Sequence, residues 1–260
     1  MPLLSVVTAA LAPTPAHVGF LLEAYESLTN QVDLGGWEWE WLVQEDGDRP
    51  RLREHLPADE RIRYAAQGRQ FGAAVTRSVA LERARGPVVR VLDADDVLLP
   101  RGLAAPLELL TEHPQAGWAL GERWQLLMPQ AHVNRVVGTT LVQAGLLRRN
   151  LVADLFRETG EIQVHCAGLT IRTDILRAFG GWAASPRSED VILLAAVNMF
   201  YPGAYTPEPS FLYRLWPDQV TRQQWWTGIG PVAHSMLWQR LAAIRAVMPE
   251  LRPAAHDSVD

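Results

Sequence analysis

The acidic cluster Asp93-Ala94-Asp95-Asp96 is the part of the sequence best suited to chemistry. Three carboxylates within four residues repel one another unless positive charge compensates them. A hard divalent cation such as Mn²⁺ or Mg²⁺, bound by carboxylate oxygens and by the phosphate oxygens of a substrate, provides that charge. The alternative is a solvated acidic turn in which Asp96 caps the next helix. We favour the metal–diphosphate hypothesis, because the cluster directly follows the apolar run Val88–Leu92 and other polar strand ends accompany it.

A second acidic cluster, Ser188-Glu189-Asp190, lies about a hundred residues further along the chain. A carboxylate in such a cluster can act as a general base that takes a proton from an attacking hydroxyl group. The alternative is a helix N-terminus at which acidic side chains interact favourably with the helix dipole. The two interpretations are compatible.

The elements that must position these clusters are short buried strands alternating with amphipathic helices. The hydrophobic pattern predicts a parallel sheet covered by helices, in which ligands bind beyond the carboxyl ends of the strands. Thr8, Glu45-Asp46 and Asp93–Asp96 all follow predicted strands, so we expect them to converge on one edge of the sheet. The strands are predicted over Leu3–Thr8, Trp37–Val43, Ile62–Tyr64 and Val88–Leu92, and the helices over His17–Thr29 and Gly72–Arg85.

The second half of the chain has a less regular pattern, and it contains no internal repeat. We predict a long C-terminal helix over Trp226–Met248, with a break near Gly228–Pro231. The remaining predicted elements are strands over Gly117–Leu127 and Gln163–Ile171 and helices over Arg172–Phe179 and Glu189–Met199.

Four segments in order resemble the family 2 inverting glycosyltransferases. They are SVVTAA, SLTNQ, EWEWLVQEDGD and FGAAVTRSVALERARGPVVRVLDADD, and the resemblance resumes in HCAGLTIRTDILRAFGGW and SEDVILL. The resemblance implies an α/β chain with the GT-A fold, in which a Rossmann-like, predominantly parallel but mixed sheet is sandwiched by helices. We expect a single domain over residues 1–260, with a nucleotide-sugar-binding half over about 1–102 and an acceptor-binding half, including the C-terminal helix, over about 103–260.

The resemblance also implies roles for residues of the first half. Thr8 and the backbone at Ala9 would line the nucleobase pocket, and Asp46 would hydrogen-bond the base. Glu45 stands where the family has another acid, and Ser78 stands where it has Asn. Arg77 would approach the nucleotide, unless it is only a surface charge on its helix.

The remaining implied roles concern the two acidic clusters. Asp93 would contact the ribose and the metal, Asp95 would bind the metal directly, and Ala94 would contribute to nucleotide-sugar binding. Glu189 would orient Asp190 or contact a substrate, and Asp190 would be the catalytic base. The implied cofactor is Mn²⁺ or Mg²⁺, and the implied partners are a nucleoside-diphosphate sugar, most simply UDP-linked, and a hydroxyl acceptor of unknown structure.

One position departs from the family. Many members carry a His after a tyrosine–arginine pair such as Tyr213-Arg214, whereas this chain has Trp216 near that position. Because an indole cannot ligate a metal, the dependence on metal could be weaker, and Arg214, Gln219 or Arg222 could contact the diphosphate instead. The departure keeps open a non-catalytic nucleotide-sugar-binding protein.

The composition excludes several other classes of function. All 24 cationic residues are Arg, so P-loop and Schiff-base chemistry, both of which need Lys, are excluded. A sugar nucleotidyltransferase is disfavoured for the same reason. The single Cys166 allows no intrachain disulfide, and the net charge of -5 gives no sign of nucleic-acid binding. We expect a cytoplasmic protein without a transmembrane segment, which could form a homo-oligomer.

Overall fold

Strands and helices alternate through the first hundred residues, as the sequence predicts. The computed structural model describes residues 1–135, 142–160 and 165–248. Apolar β-branched runs form the buried strands, and Pro15 begins the first helix, where its missing N–H has no intrahelical partner to lose. The elements are β1 (Leu3–Ala10), α1 (Pro15–Thr29), β2 (Glu38–Glu45), β3 (Ile62–Ala66), α2 (Ala73–Leu81) and β4 (Val88–Val91).

The rest of the chain adds further strands and helices after the acidic cluster. The next are β5 (Val97–Leu98), α3 (Ala104–Glu112), β6 (Trp118–Leu127), β7 (His132–Asn134), β8 (Gly145–Leu147) and α4 (Leu151–Thr159). They are followed by β9 (Thr170–Arg172), α5 (Thr173–Ala178), α6 (Glu189–Phe200), β10 (Gly203–Leu215), α7 (Gln224–Gly228) and α8 (Gly230–Val247). The predicted break in the C-terminal helix is confirmed between α7 and α8.

All ten strands of the described residues belong to one mixed sheet. Its order is β3-β2-β1-β4-β9-β6-β10-β5, with β7 beside β6 and β8 beside β10. Strand β9 is antiparallel to both β4 and β6, so β6 and its parallel neighbour β10 run in the same direction as β4. The carboxyl ends of β1, β2, β4, β6 and β10 therefore meet at the same edge of the sheet, where the sequence predicts a ligand.

Helices cover both faces of this sheet, and each face has its own hydrophobic core. One core contains the apolar residues of α2, α4, α5, α6 and α8, including the fully buried stretch Leu193–Val197. The other contains the apolar residues of α1 and α3, including Leu21, Leu28 and Leu107. This layered arrangement confirms the predicted α/β sandwich.

The predicted strand over Gln163–Ile171 is confirmed only at its last two residues, Thr170 and Ile171. Gln163 lies outside the described residues, Cys166–Gly168 forms a 3₁₀ turn, and the strand covers only Thr170–Arg172. The turn brings Gly168 against the Phe211 ring, where an added Cβ atom would lie 2.6 Å from the ring. An apolar run alone does not reveal such a close approach.

Strand β10 was not predicted from the sequence. Its 13 residues include Pro207 and Pro209, which interrupt the strand pattern because proline donates no hydrogen bond to a neighbouring strand. The structure accommodates them at register shifts between Thr206 and Pro209 and between Pro209 and Phe211, where β10 pairs with β6.

Candidate active site

The polar strand ends of the first half meet at one edge of the sheet, as predicted. Ala9 lies near the end of β1, Asp46 directly follows β2, and Asp93 follows β4 by two residues. Ala9, Asp93, Ala94 and Asp95 are partly exposed there. The structure thus brings together most of the residues that the sequence assigns to a nucleotide sugar.

Thr8 is the exception, because its hydroxyl group points into the sheet. Its Oγ1 atom donates a hydrogen bond to the Leu92 carbonyl at 2.6 Å and accepts one from Nε1 of Trp41 at 2.8 Å. The residue is completely buried. Thr8 therefore joins β1, β2 and the end of β4, and any contact with a nucleobase at this position would fall to the neighbouring Ala9.

Asp46 organises the loop that leads into α2. Its Oδ1 atom accepts hydrogen bonds from Nε2 of Gln67 and from the backbone N–H of Phe71, both at 2.7 Å, and its Oδ2 atom accepts one from Gly72 N at 2.9 Å. The side chain is buried. A contact between Asp46 and a base stays a prediction, while its structural role in the loop is clear from these three donors.

Arg77 links the two acidic clusters. Its Nη2 atom donates to Oδ1 of Asp93 and its Nη1 atom donates to Oε1 of Glu189, each at 2.5 Å. Although burial acts in the opposite direction, these two carboxylates raise the pKa of Arg77 above its usual value. Arg77 is buried, which excludes the surface-charge alternative.

Asp190 lies in the first turn of α6, next to Glu189. Helix α6 begins after Ser188, whose φ of 58° is in the left-handed region and whose side chain makes no capping hydrogen bond. Oδ1 of Asp190 instead accepts a hydrogen bond from Val191 N at 2.8 Å. Burial, followed by the charge of Glu189, raises the pKa of Asp190 to about 7, against the lowering effect of Arg77. A carboxylate with this pKa is suited to general base catalysis near neutral pH.

The three carboxylates of the acidic turn, which we define as Asp93–Asp96, are held by three separate donors. Asp93 is paired with Arg77, as described above. Oδ2 of Asp95 accepts a hydrogen bond from Nε1 of Trp216 at 3.1 Å, and Oδ1 of Asp96 accepts one from Arg214 N at 2.9 Å. Burial and the adjacent carboxylates raise the pKa values of Asp95 and Asp96. The protein therefore relieves part of the repulsion with its own side chains.

The carboxylates of the acidic turn suit a divalent cation only if a substrate provides further ligands. Within residues 1–135, 142–160 and 165–248, no three His, Cys, Asp or Glu side chains are grouped so that they could hold a metal ion. Mg²⁺ and similar hard cations are commonly bound through one or two carboxylates together with water and substrate phosphates. Asp93 and Asp95 are carboxylates of that kind, and Oδ2 of the buried Asp96 has no hydrogen-bond partner.

Arg214 and Trp216 are the site residues whose contacts the sequence reasoning missed. Nε of Arg214 donates to the Asp95 carbonyl at 2.6 Å, and its Nη2 donates to Oε2 of Glu23 at 2.5 Å. Arg214 is only 1% exposed, so it supports the acidic turn from behind and is not free to contact a diphosphate. No sequence pattern indicated these contacts, because the prolines of β10 interrupt the strand pattern and Trp216 follows the strand.

Comparison with known proteins agrees with this arrangement. Residues 14–121 match the family described as glycosyl transferase family 2. TuaG of Bacillus subtilis, whose name assigns it to teichuronic acid biosynthesis as a glycosyltransferase, is 33% identical over 115 residues, which are 43% of each chain. An uncharacterised glycosyltransferase of Methanocaldococcus jannaschii, MJ1057, is 30% identical over 107 residues, 39% of this chain and 35% of that protein. The matched region thus spans less than half the length of these relatives.

Solved structures extend the likeness of fold to most of the chain. TarS residues 1–349 from S. aureus, in complex with UDP, has a TM-score of 0.61 at 16% identity, covering 84% of this chain and 61% of that chain. The complex of the same protein with UDP-GlcNAc has a TM-score of 0.60 at 15% identity, covering 84% and 60%. The protein has the GT-A fold, and its residues 14–121 are similar to glycosyl transferase family 2.

Among the helices of the described residues, none combines the length and the apolar character that crossing a membrane requires.

Proposed function

We propose that this protein is an inverting glycosyltransferase that moves a sugar from a UDP-linked donor to a hydroxyl acceptor. The observation that carries the proposal is the position of Arg77, which joins Asp93 at the sheet edge to Glu189, the neighbour of Asp190. Asp190 is thereby held close to the carboxyl edge of the sheet, where the donor would bind. Its pKa of about 7 suits proton transfer.

The reaction is a single displacement at the anomeric carbon. The carboxylate of Asp190 accepts the proton of the acceptor hydroxyl while that oxygen forms a bond to the anomeric carbon. The bond from this carbon to the diphosphate oxygen breaks, and its electron pair leaves with the nucleoside diphosphate. Because attack and departure occur on opposite sides of the carbon, the configuration inverts and no covalent enzyme intermediate forms.

Asp93 and Asp95 would bind Mn²⁺ or Mg²⁺ together with oxygens of the diphosphate. A cation bound there would neutralise the negative charge that develops on the departing nucleoside diphosphate. Arg77 is engaged with two carboxylates, so its part is to position Asp93 and Glu189. Asp190 is the group that accepts the proton of the acceptor hydroxyl.

The relatives support the choice of donor. TarS has been crystallised with UDP and with UDP-GlcNAc, and its fold is shared over most of this chain. TuaG and MJ1057 both carry glycosyltransferase in their names, which supports the reaction class. We propose a UDP-sugar on this basis and leave the sugar and the acceptor to experiment.

The test is a binding panel followed by an activity assay. Thermal unfolding is measured with UDP, GDP, dTDP and CMP, each with and without Mn²⁺, because a ligand of the native state raises its apparent stability. We expect a metal-dependent rise with UDP that is lost in Asp95→Ala and kept in Asp48→Ala, a control at an exposed acid of a neighbouring loop. The absence of a response to every nucleotide would overturn the donor site.

The alternative of a nucleotide-sugar-binding protein without catalysis makes a different prediction. Trp216 keeps this alternative open, because an indole cannot ligate a metal. Such a protein would give the same UDP response but would not release UDP from any UDP-sugar, whether by transfer or by slow hydrolysis. Measured release of UDP that disappears in Asp190→Asn would exclude it.

A further inference from the structure

The end of β10 holds the acidic turn at three points. The backbone N–H of Arg214 donates to Oδ1 of Asp96, and Nε of Arg214 donates to the Asp95 carbonyl. Two residues later, Nε1 of Trp216 donates to Oδ2 of Asp95. Arg214 thus holds the turn at the Asp95 backbone and the Asp96 side chain, whereas Trp216 holds the Asp95 side chain.

The indole of Trp216 is itself held in place by helix α1. The ring of His17 meets it edge-on, with centroids 5.0 Å apart, and the ring of Phe20 lies 5.7 Å away. The guanidinium of Arg214 lies over Phe20 at 4.3 Å, so the same aromatic ring contacts both Arg214 and Trp216. With its ring packed on one side, the indole has little freedom to turn its N–H away from Asp95.

An indole N–H cannot bind a cation, but it can orient a carboxylate that does. A free Asp side chain at a turn samples several rotamers, and selecting one of them costs free energy when a ligand binds. A hydrogen bond that selects the rotamer beforehand removes this cost from the binding step. The benefit appears only for ligands that use the Asp95 carboxylate.

We propose that Trp216 is a positioning residue that orients Asp95 for the cation–diphosphate part of the donor. The inference rests on the proposed function, because it assumes that Asp95 meets a divalent cation bound to UDP. It assigns to Trp216 a role in cation affinity that is separate from the affinity for the nucleoside.

The test measures Mn²⁺ and UDP separately. Free Mn²⁺ is followed by its electron paramagnetic resonance signal in the presence of saturating UDP, and UDP is titrated by calorimetry with metal chelated away. In Trp216→Phe we expect the apparent Kd of Mn²⁺ to rise about fivefold, the factor that corresponds to one hydrogen bond of ordinary strength. The Kd of UDP without metal should stay unchanged.

The matched control is Trp238→Phe on α8. Trp238 is also partly buried and packs on an aromatic ring, Phe156, but its indole donates no hydrogen bond to any residue of the described chain. We expect its Mn²⁺ affinity to equal that of the wild type. Equal Mn²⁺ affinity in wild type and Trp216→Phe would overturn the inference while leaving the proposed function intact. A wild type that binds neither UDP nor Mn²⁺ with UDP would overturn both.

A second measurement covers the case in which Trp216→Phe does not fold. In wild-type protein carrying ¹⁵N-labelled tryptophan, the Trp216 indole N–H signal is identified by its displacement in Asp95→Asn. We expect Mg²⁺ with UDP to shift this signal more than UDP alone shifts it, and to leave the Trp238 signal in place. An indole signal that responds identically to UDP with and without Mg²⁺ would refute the positioning role.

Discussion

Arg77 and Glu189 form a buried ion pair at 2.5 Å although 112 residues separate them in the chain. The same guanidinium pairs with Asp93, which lies at the carboxyl edge of the sheet. One side chain of α2 therefore contacts both Asp93 and Glu189, the neighbour of the proposed base. A single side chain therefore bridges the two acidic clusters.

Asp190→Asn should abolish most of the transfer while preserving donor binding. Asn cannot accept the acceptor proton, and the loss of a general base typically lowers kcat by about 10²- to 10⁴-fold. The measurement compares kcat with the calorimetric Kd of UDP. Asp174→Asn is the control, because Asp174 occupies the first turn of α5 and accepts the next backbone N–H at 2.8 Å, as Asp190 does on α6. A kcat for Asp190→Asn near that of the control would contradict the assignment.

The rate should increase with pH through about 7. Asp190 must be ionised to accept a proton, and burial and Glu189 raise its pKa to about 7. We therefore expect kcat/KM to rise from pH 5 to pH 8 with a midpoint near 7 and then level off. The residual rate of Asp190→Asn, measured over the same range, should lack that rise. A profile that is already flat from pH 5 upward would place the pKa of the base much lower.

The contribution of Asp190 to the free energy of unfolding should fall with pH, whereas kcat/KM rises. Folded Asp190 keeps its proton up to about pH 7, whereas the unfolded chain releases it near the ordinary Asp pKa of 3.8. Between these values the folded state binds more protons, so Asp190 makes the free energy of unfolding fall as pH rises. Asp190→Asn removes this term, and its Tm relative to the wild type should increase from pH 5 to pH 8. A Tm difference independent of pH would show that the folded and unfolded pKa values coincide.

Arg77→Met should destabilise the fold strongly. Removing one partner of a buried ion pair leaves uncompensated charge and typically costs about 3–5 kcal/mol in the free energy of unfolding. Urea unfolding provides the measurement. Arg148→Met is the control, because the Arg148 side chain is 60% exposed in its pair with Asp154 and such exposed pairs contribute only about 0–1 kcal/mol. Equal losses in the two variants would mean that the Arg77 pairs are worth no more than surface pairs.

Asp46→Asn should loosen the loop before α2. The Asn side chain has one acceptor oxygen in place of two, so either Gly72 N or the pair of Gln67 and Phe71 loses its acceptor. An unsatisfied buried donor costs about 1–3 kcal/mol, and we expect that loss in stability together with faster hydrogen exchange in residues 67–72. The exposed Asp48→Asn should show neither effect. Unchanged exchange would indicate that other contacts hold this loop.

The parts of the site that follow strands could be predicted from the sequence. Apolar runs such as Val88–Leu92 mark buried strands, and parallel topology brings their polar ends to one edge. This logic located Asp46, Asp93 and Asp95 without knowledge of any contact. It could not distinguish Thr8, whose side chain turns inward to the carbonyl of Leu92.

The parts that depend on pairing between distant segments could not be predicted. Arg77 was assigned to the nucleotide, whereas its partners are Asp93 and Glu189, because a charge on a helix does not reveal what lies opposite. The contacts of Trp216 depend on the position of β10, which it directly follows. Pro207 and Pro209 interrupt the sequence pattern by which that strand could have been predicted. Local pattern determines which residues are buried, but the partners of a buried charge are set by tertiary packing.

The position of β10 has a consequence for the order in which the site is assembled. This strand, the last along the described chain, lies between β6 and β5, and β5 directly follows the acidic turn. During synthesis the acidic turn emerges long before Arg214 and Trp216, its supports, and more than a hundred residues are translated in the interval. Asp95 and Asp96 therefore stay without these hydrogen-bond donors on the nascent chain until the end of β10 has been synthesised.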